Sequence, residues 1–217
     1  MIQQITTYFS EHGAEWVQMV IDHLAISGMA LAAALAIAVP LGILCSRHAW
    51  SERLATGTAG VLRVIPSLAI LIICVPYLGV GTVPAVVALT VLAIPPILLN
   101  TAVALRSVPA DVIEAAVGMG MSPLRLWLTV KAPLAFPLAF SGVRTAASEI
   151  IASATLAAYI GAGGLGILIY TGLGALRNDL LWIGGISVAA LSLIVNRVLA
   201  MVDRRIRAYE RVGSSAR

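Results

Sequence analysis

The sequence predicts an all-α membrane protein with about five transmembrane helices, and three observations lead there. Hydrophobic residues make up 60% of the 217 and charged residues only 11%, against roughly 45–50% and 25% in an average soluble domain, so a water-soluble fold has too little polar surface to cover its apolar one. The apolar residues are gathered into uncharged runs of the length a bilayer core requires, about 20 residues per helical crossing. Lys and Arg collect at alternate ends of those runs, as the positive-inside rule expects of the cytoplasmic side.

The first run, residues 24–45, holds 22 residues without a charge between Asp22-His23 and Arg47-His48. The next, 64–105, is 42 residues long, too long for one crossing and right for two joined by a tight turn at Gly79-Val80-Gly81. A fourth span is placed at about 134–158, interrupted by Arg144 and Glu149, and a fifth at 180–201 after the glycine-rich stretch 161–174. Five spans put the termini on opposite sides. With the N-terminus outside, the cytoplasmic side receives Arg47, Arg53, Arg63, Arg106, Arg125, Lys131, Arg197, Arg204, Arg205, Arg207, Arg211 and Arg217, and the outer side only Arg177. The predicted orientation is therefore N-out and C-in.

One membrane domain, 1–217, is expected. Residues 1–22 carry Glu11, Glu15 and Asp22 and lack the basic start and cleavage site of a secretory signal, so they are expected to remain as an outer-side segment. Residues 106–133 are expected to form a cytoplasmic loop and 202–217 a basic cytoplasmic tail. The net charge of +4 comes from residues at span ends rather than from a basic stripe, which argues against a nucleic-acid partner and for membrane lipid. Cys45 and Cys74 lie inside apolar runs without CxxC or Cys/His spacing, so no metal site and no disulfide framework are expected. Seven prolines, at 40, 66, 76, 84, 95, 96 and 137, lie in or beside the spans, where proline is commoner than in soluble helices and bends the helix it enters.

The loop has its own signals. Pro109 and Asp111 suit the first turn of a short helix that Gly118 and Gly120 end; Ser122-Pro123 then reads as a new N-cap and first helical position. In that second helix Leu124, Trp127 and Leu128 share a face. That face either packs on the span ends or in the lipid interface, or docks on another protein.

Glu114-Ala115-Ala116, three residues, Gly120, nine residues, then Val130-Lys131-Ala132-Pro133 resembles the EAA loop of ABC importer permeases. The resemblance implies a type I importer permease (MetI-like) fold with a five-helix core. It further implies that Glu114, Ala115, Ala116, Gly120 and Pro133 belong to a coupling helix seated on a cytoplasmic ATPase dimer. No GxxxxGK[ST] phosphate loop occurs in the sequence, so ATP and magnesium are expected on that separate ATPase and no cofactor in this chain. The implied partners also include a second permease, either a copy of this chain or a similar paralogue, and an extracytoplasmic substrate-binding protein. Further segments, Arg63-Val64-Ile65-Pro66-Ser67-Leu68-Ala69, Arg106-Ser107-Val108, Gly118-Met119-Gly120-Met121, Gly142-Val143-Arg144-Thr145-Ala146 and Ala154-Thr155-Leu156-Ala157, are similar to permeases for glycine betaine, carnitine and choline. Gly161-Ala162-Gly163-Gly164-Leu165-Gly166 is shared with methionine permeases, which keeps methionine or another small amino acid as an alternative cargo. A bacterial inner-membrane transport subunit, not an enzyme, is what the resemblance implies.

Gly161, Gly163, Gly164 and Gly166 also spell GxGxxG, but no strand precedes them and no acidic residue follows about 20 positions on, so they read as a hinge or close-packing loop near a gate. Arg144 and Glu149 each cost about 2.5–3.5 kcal/mol if left facing lipid at mid-depth. Five positions apart, they lie about 140° apart in azimuth, so each is expected to meet a different element. They either fix helix packing or line a path, with Pro66, Asn100, Thr145 and Thr155 as further candidates. Aromatic residues are only 6% and do not gather in the spans, so an aromatic cage for a quaternary ammonium is expected on the binding protein. A secondary transporter fits poorly, because no internal repeat is evident. An intramembrane hydrolase fits no better, because His12, His23 and His48 all fall outside the predicted spans.

Overall fold

The computed structural model describes residues 2–47, 57, 60 and 65–206. The expectations for His48, Arg53, Arg63, Val64, Arg207, Arg211 and Arg217 lie outside the described residues. The chain runs as helices α1 (Ile2–Cys45), α2 (Ser67–Leu78), α3 (Thr82–Arg106), α4 (Ala110–Gly118), α5 (Pro123–Leu126), a π-turn (Trp127–Lys131), α6 (Ala132–Ala157), a 3-10 turn (Ala158–Ile160), α7 (Gly166–Gly174) and α8 (Asn178–Ile206).

Four of these stretches are long and apolar enough to cross a membrane: Gln3–Cys45, Thr82–Arg106, Pro123–Ile160 and Asn178–Arg205. Where the second span is expected stands α2, 12 residues, about 18 Å of helix and short of the ~30 Å hydrocarbon core. Its predicted turn into the third span is where the sequence placed it. Gly79 and Gly81 hold φ of 77° and 104°, values open to glycine without steric cost, and the Gly81 amide donates to the Ile160 carbonyl at 2.7 Å.

α1 is longer than its apolar run. Residues 2–22 are helical as well, but a kink at His12, φ −120°, ψ 18°, divides the stretch into two helices. The part after the kink, 13–45, is about 50 Å long at 1.5 Å per residue, still longer than the hydrocarbon core. The early turns are held by tertiary contacts: Tyr8 is buried with Leu168, Leu180 and Ile183, and Trp16 Nε1 donates to Ser187 Oγ at 3.0 Å. His23, expected at the edge of a span, is fully buried, its Nε2 3.0 Å from the Ile151 carbonyl.

Close helix approach explains the core. Ile26, Ala30, Ala34 and Ala38 recur every four residues on α1 and are all essentially buried. They meet Ala85, Ala88, Leu89, Ala93 and Ile97 of α3. Gly42 continues the stripe, and a Cβ there would lie 2.7 Å from Thr101 Cβ. Lipid supplies no hydrophobic drive between helices, so small residues that let backbones approach are what bind them. The most extensive contact is α3 on α6, with α1 on α3 next.

Candidate functional site

The loop between α3 and α6 is anchored from beneath and open above. Ala104, Val108 and Ala135 form a small core to which Leu105, Ile113 and Ala139 add. Ala116 is buried and Glu114 and Ala115 are exposed. Pro109 sits at the N-cap of α4, one position before the expected first turn, and Asp111 lies in that turn. α4 ends at Gly118 in a Schellman arrangement: the Gly120 amide donates to Val117 O at 2.9 Å and the Met121 amide to Ala116 O at 3.2 Å. That closure needs a left-handed residue at position 120, and Gly120 has φ of 78°. Ser122 caps α5, accepting from the Arg125 amide, with Pro123 following as expected.

The second loop helix is not separate from the fourth span. Pro133 has no N–H to give and its ring crowds the carbonyl four residues back, and the helix absorbs this by widening to a π-turn over Trp127–Lys131, closed by the Ala132 amide on Trp127 O. The predicted apolar face divides. Trp127 is half-buried while Leu124 and Leu128 are 69% and 54% exposed, alongside Val117 and Met119 at 55% and 71%. Leu126 is the side chain of α5 that is buried. The face drawn from spacing is thus not spent on the span ends; it stands open beside Glu114 and Ala115.

The predicted path residues fall into three groups. Arg144 turns to α8, its Nη2 donating to Asn196 Oδ1 at 3.1 Å and its Nη1 3.7 Å from Asp203 Oδ2. Asn100 sits in the α3–α6 seam, donating to Pro96 O at 2.8 Å and accepting from Ser141 Oγ at 3.3 Å. Thr145 and Glu149 are exposed on a different face of α6. On that face Leu138, Thr145, Glu149 and Ala152 fall within about 60° of azimuth at 100° per residue, all exposed, and exposed Tyr159 lies in the 3-10 turn that follows. Thr155 is half-buried at the edge of this face, bonded to Ala152 O, and Pro66 is the exposed N-cap of α2. Two of the four glycines serve close packing: a Cβ on Gly164 would lie 3.0 Å from His23 Nδ1, and one on Gly166 would fall on the Thr155 carbonyl oxygen, whereas one on Gly161 would meet nothing within 4 Å. Gly161, Gly163 and Gly164 all hold positive φ. Gly166 opens α7, so the expected loop covers only 161–165.

Asn196 and Asp203, partners of Arg144, were not singled out from the sequence. Their seven-residue spacing on one helix was the available signal. Replacing Asp203 with Asn in an Arg144→Met background and separately is expected to give a coupling of about 1 kcal/mol or more in a double-mutant cycle, read as thermal stability of the purified protein. Additive effects would mean that the contact does not hold α6 to α8.

Long apolar helices packed through small residues, an exposed apolar hairpin at one end, and a partly polar face left open along one spanning helix together define a membrane permease subunit rather than an anchor. The profile described as binding-protein-dependent transport system inner membrane component matches residues 38–208. The carnitine transport permease protein OpuCB of Listeria monocytogenes is 42% identical over 202 residues, 93% of each chain. The choline transport system permease protein OpuBB of Bacillus subtilis (strain 168) is 35% identical over 205 residues, 94% of each. Among solved structures, an inward-facing MetNI methionine ABC transporter superposes with a TM-score of 0.77 at 22% identity, over 88% of this chain and 95% of that one, a likeness of fold alone. The chain belongs to the ABC-importer inner-membrane permeases, within their glycine betaine, carnitine and choline family. It is a multi-pass transport subunit and not an enzyme.

Proposed function

We propose that this chain forms half of the passage by which a quaternary-ammonium osmoprotectant, such as glycine betaine, carnitine or choline, enters the cell. The observation that carries the coupling part is the loop hairpin, whose exposed Glu114, Ala115, Val117, Met119, Leu124 and Leu128 have the mixed apolar and charged character of a docking face. On this reading 106–133 seats on one subunit of a cytoplasmic ATPase dimer that carries the ATP and magnesium. Glu114, Ala115, Ala116 and Gly120 shape the seat, and Pro133 sets where it joins α6. Five spans with the N-terminus outside and the C-terminus inside are retained, α2 contributing to the second, with 1–22 on the outer side and 202–217 in the cytoplasm.

The open face of α6 is read as path lining. Thr145 and Glu149, with Thr155 at its edge, offer hydroxyls and one carboxylate to a passing cation, and a second permease, a copy or a paralogue, closes the other side. Pro66 lies where α2 begins, and Gly161, Gly163, Gly164 and Gly166 are read as a gate loop, of which Gly163 and Gly164 lie against Asp22 and His23 of α1. Asn100 and Arg144 belong to helix packing instead. Selectivity is assigned to an extracytoplasmic binding protein: beyond the ring cluster at Tyr8, Phe9, His12 and Trp16 of α1, the rings of the described residues meet only in pairs, Phe136 with Phe140 and Tyr159 with Tyr170, fewer than a cage around a quaternary ammonium uses.

Uptake of labelled glycine betaine, carnitine, choline and methionine at high salt, in cells carrying the whole transporter, tests the reading. Betaine-class uptake is expected, and Glu149→Gln is expected to raise its KM several-fold with the protein still in the membrane. Uptake of methionine alone would transfer the mechanism to another cargo. An unchanged KM would move Glu149 off the path.

A further inference from the structure

The outward side of α8 carries two adjoining grooves that the transport reading leaves unused. Toward its C-terminal end a cavity of about 530 Å³ is lined by Arg144, Arg197, Met201 and Arg204 with their neighbours. Toward its N-terminal end lies a groove of about 550 Å³ bordered by Trp182, Ile186 and Ala189. Trp182, Ile186, Ala189, Leu193, Ala200 and Arg204 fall within about 60° of azimuth, so the two form one strip along the helix. The strip points away from the bundle: Trp182, Ile186 and Leu193 are each more than half exposed, whereas Leu180 and Leu191, at the opposite azimuth of α8, are buried.

Charge separates the possible occupants. Arg144 is answered by Asn196 and Asp203, while Arg197 and Arg204 pair with no carboxylate among the described residues. Seven positions apart, these two stand about 10.5 Å from one another along the axis, with Arg144 reaching to the levels of Asn196 and Asp203 between and beside them. A second copy of α8 laid on this strip would bring like charges together, and a small aqueous anion would leave the apolar half uncovered. A molecule anionic at one end and apolar along the rest matches both halves. We propose that this strip binds one anionic phospholipid, its phosphate held at Arg197 and Arg204 and an acyl chain lying along Leu193, Ile186 and Trp182. Guanidinium forks match phosphate oxygens, and basic pockets between membrane helices are sites for such headgroups. The inference requires only that α8 cross the bilayer, so it stands whatever the cargo.

The test uses the intact transporter in vesicles of phosphatidylcholine mixed with phosphatidylglycerol. Two readouts serve. One is the phosphatidylglycerol retained on purification; the other is quenching of Trp182 fluorescence, taken as the difference from Trp182→Phe, by phosphatidylglycerol brominated on its chains. Retention is expected to fall about fivefold for each arginine removed in Arg197→Gln and Arg204→Gln, with retained phosphatidylcholine unchanged. In the unmodified protein, brominated phosphatidylglycerol is expected to quench Trp182 more than brominated phosphatidylcholine does. Equal retention by the variants, equal quenching by the two lipids, or release of the lipid by millimolar inorganic phosphate would each overturn the proposal. So would a disulfide between Ile186→Cys of two permease copies, since protein would then cover the strip.

Discussion

With Glu114 replaced by alanine, the transporter is expected to reach the membrane at its normal level and to lose uptake by about tenfold or more. The two halves of this result have different origins. Glu114 is exposed in the middle of α4, where alanine is at least as good a helix former, so the loop keeps its shape. On the proposed docking, what is lost is a charged contact to the ATPase, and a factor of ten corresponds to about 1.4 kcal/mol, a modest demand on one desolvated interfacial carboxylate. Gly120→Val is expected to reach the same loss through shape. A Cβ at position 120 meets nothing within 4 Å, so space is not the obstacle. The left-handed φ of 78° is, since it costs an L-residue roughly 1–2 kcal/mol, and relief of that strain breaks the Schellman closure that aims α4 back across α5. Uptake of labelled betaine and binding-protein-stimulated ATP hydrolysis are the measurements. Normal coupling in both variants would take this loop out of the mechanism, whereas normal uptake in Gly120→Val alone would show that the seat tolerates a reshaped turn.

Local chemistry was legible wherever a residue type has a narrow backbone role. The glycines of the α2–α3 turn, the Ser122 cap with Pro123, and the stop at Gly118–Gly120 all stand where their conformational preferences put them. Elements held by distant contacts were not. Residues 2–22 have no uncharged run long enough to cross a bilayer, and they are helical because Tyr8 and Trp16 find partners on α7 and α8, some 160 or more positions along the chain. Pro133 read as the end of a loop, yet a π-turn lets the helix pass through it, a solution that spacing does not announce. Arg144 meets α8 and Glu149 is exposed, but naming Asn196 and Asp203 requires knowing that α8 lies beside α6. The path candidates were chosen as polar residues in apolar spans, and that criterion cannot tell a hydroxyl in an open face, such as Thr145, from an amide locked in a seam, such as Asn100.

That seam is where the largest loss of stability is expected. Gly142 faces α3 with its Cα against the backbone: a Cβ there would lie 2.5 Å from the Pro96 carbonyl oxygen and 2.6 Å from Asn100 Cβ. Neither obstacle can swing aside, because Pro96 is fully buried with its ring fixed in the helix, and a Cβ moves only with its backbone. Gly142→Ala therefore forces α3 and α6 apart, at a cost of about 1–3 kcal/mol for an overpacked core, and Gly142→Leu is expected to leave little protein in the membrane. Gly28 is the control, since a Cβ there meets nothing within 4 Å, and Gly28→Ala is expected to be neutral or stabilising by up to about 1 kcal/mol. Thermal unfolding of the purified transporter and permease abundance in membranes read both. If Gly142→Ala melts with the unmodified protein, α3 and α6 do not pack through this glycine and the open face of α6 is no longer fixed in direction. If it melts lower while Gly28→Ala does not, the seam holds α6 from one side as Arg144 holds it from another, and the face carrying Thr145 and Glu149 is left for whatever passes.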